Sequence, residues 1–229
     1  MGRLGEHPPR PERQAEGARP GHCSEPVGVP EPGQAHARQA AVRAPSGGNG
    51  QGWRFLLVDD PEVIKKIAPL YQDCVRQLWA TAYAGRYQAA LADPEAPASK
   101  TMMKMVSSVQ WVADNFETIP LLLFGFIRGD TSGGSIWPAL WNAQLAARAH
   151  GVGSAPTAAL NFFHPDETYE ILGVPKDENW QMAAMITMGY PKGTWGVASR
   201  RPAHEVSYRN RWGSDTGFEI NEPMWPGSN

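Results

Sequence analysis

Every aromatic residue of this 229-residue chain lies beyond position 44: nine Trp, seven Phe and six Tyr, beginning at Trp53. Residues 1–44 hold seven prolines and six glycines instead, with Leu4 as their only Leu or Ile. Ordering a residue costs about 1–2 kcal/mol of backbone entropy, which buried apolar surface must offset. A stretch of this composition cannot supply that surface by itself. The sequence therefore predicts a disordered or non-native arm over 1–44 and one globular domain over 45–229, ample in length for a single core. The arm carries six Arg and five Glu and no apolar run of the signal-peptide kind. It predicts neither a secretory signal nor a membrane anchor.

The formal net charge of −2 leaves no basic footprint for nucleic acid. The longest apolar run, Leu121 to Ile127, is less than half of the roughly 20 residues a membrane-spanning helix needs. Cys23 and Cys74 make neither a disulfide framework nor a metal site. The six histidines, at 7, 22, 36, 150, 164 and 204, show no i, i+4 pairing and no neighbouring cysteine, which argues against structural zinc. These features predict a cytoplasmic protein with no nucleic-acid or membrane partner.

Trp53 to Val58 is a compact apolar run between Gly52 and the Asp59–Asp60 pair, the pattern of a strand ending at a helix cap. Pro61 suits the first helical turn. From Glu62 to about Ala90, apolar residues at Val63, Ile67, Leu70, Cys74 and Leu78 predict a helix kinked at Pro69. Val106, Val109, Val112 and Ala113 mark a second helix. Ile119 to Ile127 predicts a strand buried on both faces. Beyond the loop Gly129–Gly134, Ser135 is the expected cap of a helix with Ile136, Leu140, Ala143 and Ala147 on one face, closed by Gly151. Asp166 to Leu172 reads as a short helix ended by Gly173 and Pro175. Helices alternating with widely spaced strands predict an α+β or α/β domain.

Three segments carry candidate chemistry. Ala44-Pro-Ser-Gly-Gly-Asn-Gly-Gln51 is dense in hydrogen-bonding groups, and its glycines leave backbone amides accessible to a ligand. An ordinary turn before a strand explains its composition equally well, and no Gly-Lys-Ser/Thr follows to make a Walker loop. Gly151-Val-Gly153-Ser-Ala-Pro156 follows a helix and has Pro156 where a dinucleotide fingerprint needs its third glycine, so it predicts a helix end leading into a turn. Ser46 lies in no Gly-x-Ser-x-Gly elbow. Arg200 and Arg201 suit an anion such as a phosphate, although a solvated surface pair is the commoner role.

Taken together, Arg43-Ala-Pro-Ser-Gly-Gly-Asn-Gly-Gln-Gly-Trp-Arg-Phe55, the helix ending in Ala-Arg-Ala-His-Gly-Val-Gly153, the Met188-Gly-Tyr-Pro191 turn and Arg200-Arg-Pro resemble the nitroreductase family. The resemblance runs in order across about residues 43 to 212. It implies an α+β sandwich, with a mixed, mostly antiparallel sheet flanked by helices, and a homodimer holding one FMN per site at the interface. By position it assigns Pro45, Ser46, Gly47, Asn49 and Gln51 to the loop along the flavin and its ribityl chain. Pro156, Thr157 and Ala158 match the turn beside the reactive ring edge, and Arg200 and Arg201 the phosphate. The implied activity passes reducing equivalents from NAD(P)H through FMN to a nitroaromatic, quinone or similar small-molecule acceptor by ping-pong kinetics. A reductive dehalogenase, a flavin-fragmenting relative and a flavin-free pseudoenzyme or interaction protein are the alternatives.

The chain also departs from the family. Gly52 stands where a Pro is common, and Thr157-Ala158 where several members carry a Glu. Nothing in residues 1–44 resembles the Arg-Arg-Ser-x-Arg-like helix start that binds the FMN phosphate. One expectation that follows is an arm translated out of frame until just before Pro45; a genuine extension is the other.

Overall fold

A computed structural model of the chain describes residues 28–191 and 200–220. The described residues fall into two units, 28–191 and 200–220. The first begins with helix α1 (Glu31–Ala41), which Pro30 leads into with φ −59°. Glu31 in its first turn and Arg38 in its last oppose the helix dipole, and Arg38 Nη2 donates to Glu31 Oε1 at 2.7 Å.

Helix α1 corrects the expectation for the arm over residues 28–44. Val29, Gly33, Ala37, Ala41 and Ala44 recur at helical spacing and are all buried. Alanine is the best helix former and lets helices approach closely, so a stripe too poor to make a core alone completes one under a neighbour. A frame shifted until just before Pro45 gives no reason for this stripe. Residues 1–27 lie outside the described residues.

Strand β1 (Trp53–Val58) and helix α2 (Pro61–Ala80) follow the predicted pattern: Asp60 Oδ1 accepts from Glu62 N–H at 2.9 Å, capping the helix, and Pro61 opens it. The single helix expected to Ala90 is instead two. Thr81 leaves helical geometry (φ −124°, ψ −88°), and α3 (Ala84–Ala92) starts again beyond it. Helix α4 (Pro97–Asp114) precedes strand β2 (Leu121–Ile127), all of whose seven residues are buried. Then come α5 (Ile136–Ala149), β3 (Gly153–Thr157), α6 (Ala159–Phe163), α7 (Pro165–Leu172) and β4 (Gln181–Gly189). Gly173 ends α7 at φ +66°, as a C-terminal glycine should.

The strands lie in the order β1-β2-β4-β3, and every described pairing is antiparallel. The parallel component of the expected mixed sheet is therefore not among them. Alternation divides β2 cleanly: Leu122, Phe124 and Phe126 face α2, α4, α6 and α7, while Leu121, Leu123 and Ile127 face α1 and α5. Gly125 lies under α5, where a Cβ would come within 2.8 Å of a Leu140 methyl. The segment 153–156, expected to be a turn, is the edge strand β3. Pro156 is tolerated there because an edge strand need not donate on both sides.

A polar cluster ties α2 to α7. His164 Nε2 lies 2.7 Å from Asp73 Oδ2, and its Nδ1 3.2 Å from Glu167 Oε1. The Asp73 bond raises the His164 pKa against the opposing effect of burial, and the same bond, helped by Gln77, lowers that of Asp73. For a group raised on folding, the stabilisation is complete below its unfolded pKa, about 6.5 for His, and is lost as pH rises through the folded value. The Asp73 contribution is complete above the ordinary carboxylate range and is lost as pH falls through its lowered value. Melting temperature is thus expected to decline as pH rises above neutrality, with His164→Gln flattening that decline. Parallel melting curves against pH for the two proteins would remove the assignment.

Candidate active site

The loop between α1 and β1 turns on three consecutive interactions. Asn49 N–H donates to Ser46 O at 2.9 Å, Gly50 N–H to Gly47 O at 3.0 Å, and Gln51 N–H to Ser46 Oγ at 3.1 Å. Gly48, Asn49 and Gln51 all adopt positive φ, 57°, 54° and 46°. Such geometry is easy for Gly, acceptable for Asn and costly for Gln. Gln51 is held there by the Ser46 bond and by its own side chain, whose Nε2 donates to Asn49 Oδ1 at 3.1 Å.

This loop forms one wall of a cavity of about 460 Å3, lined by Pro45, Ser46, Gly47, Gly50, Gln51 and Gly52. Residues from Ile127 to Ser135 form the other wall. The walls are locked together where Arg128 N–H donates to Gly52 O at 2.9 Å. A Cβ at Gly52 would lie 2.4 Å from Arg128 O. Gly52 is thus required by a close backbone approach, which a Pro, also bearing a Cβ, could not make. At Gly47 a Cβ would meet no protein atom within 4 Å, so the loop presents bare backbone to open space.

The second wall is organised by Asp130. Its Oδ1 accepts from Ser132 N–H at 3.1 Å and from the Ser132 hydroxyl at 2.5 Å, and its Oδ2 accepts from Ser135 N–H at 2.8 Å. The Ser132 hydroxyl, and next the Ser135 N–H, hold this carboxyl well below the usual carboxylate range. Ser135 was the expected cap of α5, but its side chain makes no capping bond. Asp130 accepts from Ser135 N–H instead, leaving a carboxylate beside the helix start. The glycines, Asp and Ser of 129–134 carried the signal of a functional turn, read in the sequence only as a loop.

The remaining sequence-predicted residues lie elsewhere. Asn49 is exposed and does not line the cavity. Pro156 and Thr157 end β3, and Ala158 leads into α6. The Thr157 hydroxyl accepts from Ala159 N–H at 3.2 Å, and burial pushes the pKa of nearby Tyr71 up to about 12. Buried on α2, Tyr71 therefore stays a neutral hydroxyl. Cys74, one turn further, is fully buried, and burial pushes its thiol up to about 12 as well, which makes it inert. Arg200 and Arg201 belong to the second unit, where Arg201 Nε pairs with Glu205 Oε2 at 3.3 Å. Among the described residues no group of His, Cys, Asp or Glu could hold a metal ion, and no helix is long and apolar enough to cross a membrane.

The sequence profile of the nitroreductase family matches residues 25–190. The chain belongs to this family. The match starts upstream of Pro45, so α1 is family sequence in its own frame. No curated protein matches the sequence. Among solved structures, the nitroreductase fold is shared with oxidized iodotyrosine deiodinase bound to FMN and 3-iodo-L-tyrosine, at TM-score 0.60 and 21% identity over 83% of this chain and 92% of the other. The FMN-dependent nitroreductase NfnB of Mycobacterium smegmatis, in complex with NADPH, aligns at TM-score 0.59 and 21% identity over 84% and 94%. A nitroreductase of Bacteroides fragilis with bound FMN aligns at TM-score 0.58 and 17% identity over 83% and 94%. The α+β architecture inferred from the sequence is that of this family.

Proposed function

We propose that this nitroreductase-family chain is an FMN-dependent oxidoreductase that uses NAD(P)H to reduce a small acceptor of the nitroaromatic or quinone class. The observation that carries the reading is the Pro45–Gln51 loop, which offers the Ser46 hydroxyl, the Gln51 side-chain amide and bare glycine backbone to the 460 Å3 cavity. These neutral donors and acceptors fit the uncharged part of FMN, its ribityl chain and ring edge. The Asp130 carboxylate in the facing wall makes the same cavity a poor place for the phosphate. Bound flavin supplies the two-electron chemistry, and the chain supplies binding and orientation. Ser46 and Gln51 hold the loop rigid in advance, so little ordering cost remains at binding. Pro156, Thr157 and Ala158 shape the turn beside the reactive ring edge. Nicotinamide and acceptor use one pocket in turn, which gives parallel initial-rate lines.

The working unit of this proposal is a homodimer. Trp137, Trp141 and Leu145 recur every fourth residue on α5 and are 45%, 59% and 48% exposed, an apolar stripe suited to a second copy. FMN titration of the purified dimer, sized by sedimentation, tests the reading. Wild-type protein should bind FMN and quench its fluorescence. Gly47→Leu, whose Cβ would meet no protein atom within 4 Å, should fold normally and weaken FMN binding tenfold or more. A wild-type protein that ignores FMN would leave the flavin-free interaction protein as the better reading. Reductive dehalogenation uses the same cavity, and the shared fold with the deiodinase makes a halogenated aromatic the second acceptor class to assay.

A further inference from the structure

Away from that cavity, β1 and the segment between α7 and β4 enclose a second one of about 250 Å3. Its lining is almost wholly apolar: Phe55, Leu56, Phe126, Leu172, Val174, Pro175 and Trp180, with Arg54 as its only charged member. Trp180 is 9% exposed and lies between two guanidinium groups, Arg54 at 5.0 Å and Arg128 at 4.7 Å from its ring centroid. Its indole N–H donates to Glu178 Oε2 at 3.0 Å, and the same oxygen is 3.4 Å from Arg128 Nη1. That carboxylate thus serves Arg128 and the Trp180 indole.

Arg128 has Glu178. Arg54 makes no ion pair among the described residues, and its one described hydrogen bond runs from Nη1 to Trp53 O at 2.7 Å. That bond and the stack on Trp180 fix the orientation of the guanidinium fork, leaving further donors of a planar, always-charged group unspent at the mouth of an apolar cavity. A preorganised cation costs less to engage than a free side chain. Its fork matches a carboxylate in geometry as well as charge. The volume lies below the roughly 300–1,000 Å3 of pockets for drug-sized ligands, which limits the occupant to a body about the size of one ring.

We propose that this cavity is a binding site for a small aryl or branched-alkyl carboxylate, its carboxylate on Arg54 and its apolar body against Leu56, Phe126, Leu172 and Val174. The site is separate from the flavin reading and stands or falls without it. Calorimetric titration of the full-length protein with 3-phenylpropionate tests it, with neutral 3-phenylpropionamide, inorganic phosphate and an N-acetyl peptide ending in phenylalanine as comparisons. The carboxylate should bind at one site per chain, and the amide at least tenfold more weakly. Arg54→Gln should weaken the carboxylate by a similar factor, because charge-assisted bonds to a guanidinium are lost. Arg54→Lys should recover part of the loss, as charge without the fork. Absence of binding, equal binding of the amide, or unchanged affinity in Arg54→Gln would each overturn the proposal. Competition by phosphate at equal strength would show a nonspecific anion site, and at least tenfold tighter binding of the peptide would make the partner a polypeptide; either result also overturns it. The wild-type comparison of acid with amide needs no variant, so it decides the question even if a substitution at position 54 disturbs β1.

Discussion

Deletion of residues 1–44 is expected to unfold the domain or bring it close to unfolding. Val29, Ala37, Ala41 and Ala44 are 4%, 3%, 1% and 8% exposed and share a core with Ile136, Ala139, Leu140, Ala143 and Ala147 of α5. At about 0.8 kcal/mol per buried methyl-sized group and 1.5–3 for a valine, the lost burial amounts to about 4 kcal/mol. A domain of this kind is stable by only about 5–15 kcal/mol. The bare face of α5 would then be exposed as well. Two polar ties are lost with the helix: Asn142 Nδ2 donating to Ala40 O at 3.3 Å, and the His36 Nδ1 to His150 Nε2 contact at 2.7 Å. A point variant makes the same test without removing chain. Ala41→Glu places a carboxylate on the buried stripe and should lower the urea midpoint sharply, whereas Gln39→Glu on the exposed face should not. Equal midpoints for the two variants would return α1 to the status of an arm that contributes nothing.

Gly52→Ala should be nearly as damaging, although it adds a single methyl group. The 2.4 Å approach is to Arg128 O, a backbone atom at the end of β2 that no rotamer change can move. Relief requires the two segments to separate. That breaks the 2.9 Å bond from Arg128 N–H to Gly52 O and spreads the walls of the main cavity. Overpacking of about 1–3 kcal/mol with a lost hydrogen bond of about 1 gives roughly 2–4 kcal/mol. FMN affinity should fall together with stability, in contrast to Gly47→Leu, for which only affinity falls. Denaturation midpoints and FMN dissociation constants measured on both variants separate the two. A Gly52→Ala protein as stable as wild type would mean that the segments can move apart freely.

Half of the candidate site was legible in the sequence. Pro45, Ser46, Gly47 and Gln51, marked in the sequence as a candidate ligand loop by glycines and short polar side chains, line the cavity. The facing wall was not legible. Asp130 acts through Ser132 and Ser135, and Gly52 through Arg128, partners joined only when β1 pairs with β2.

What the sequence determined by itself is the set of elements whose signal is periodic and local. Strands β1 and β2, the Asp60 cap, the apolar face of α5 and the Gly173 stop all follow from spacing within a few residues, where side-chain direction is set by backbone period. Tertiary structure alone decided the rest. A stripe of alanines becomes a helix because α5 lies across it. Gly153–Thr157 becomes a strand because β4 offers an edge, where a proline does no harm. Arg54 becomes a fixed cation because Trp180, far along the chain, supplies the ring beneath it. In each case the deciding free energy comes from surfaces distant in sequence, which local patterns do not encode.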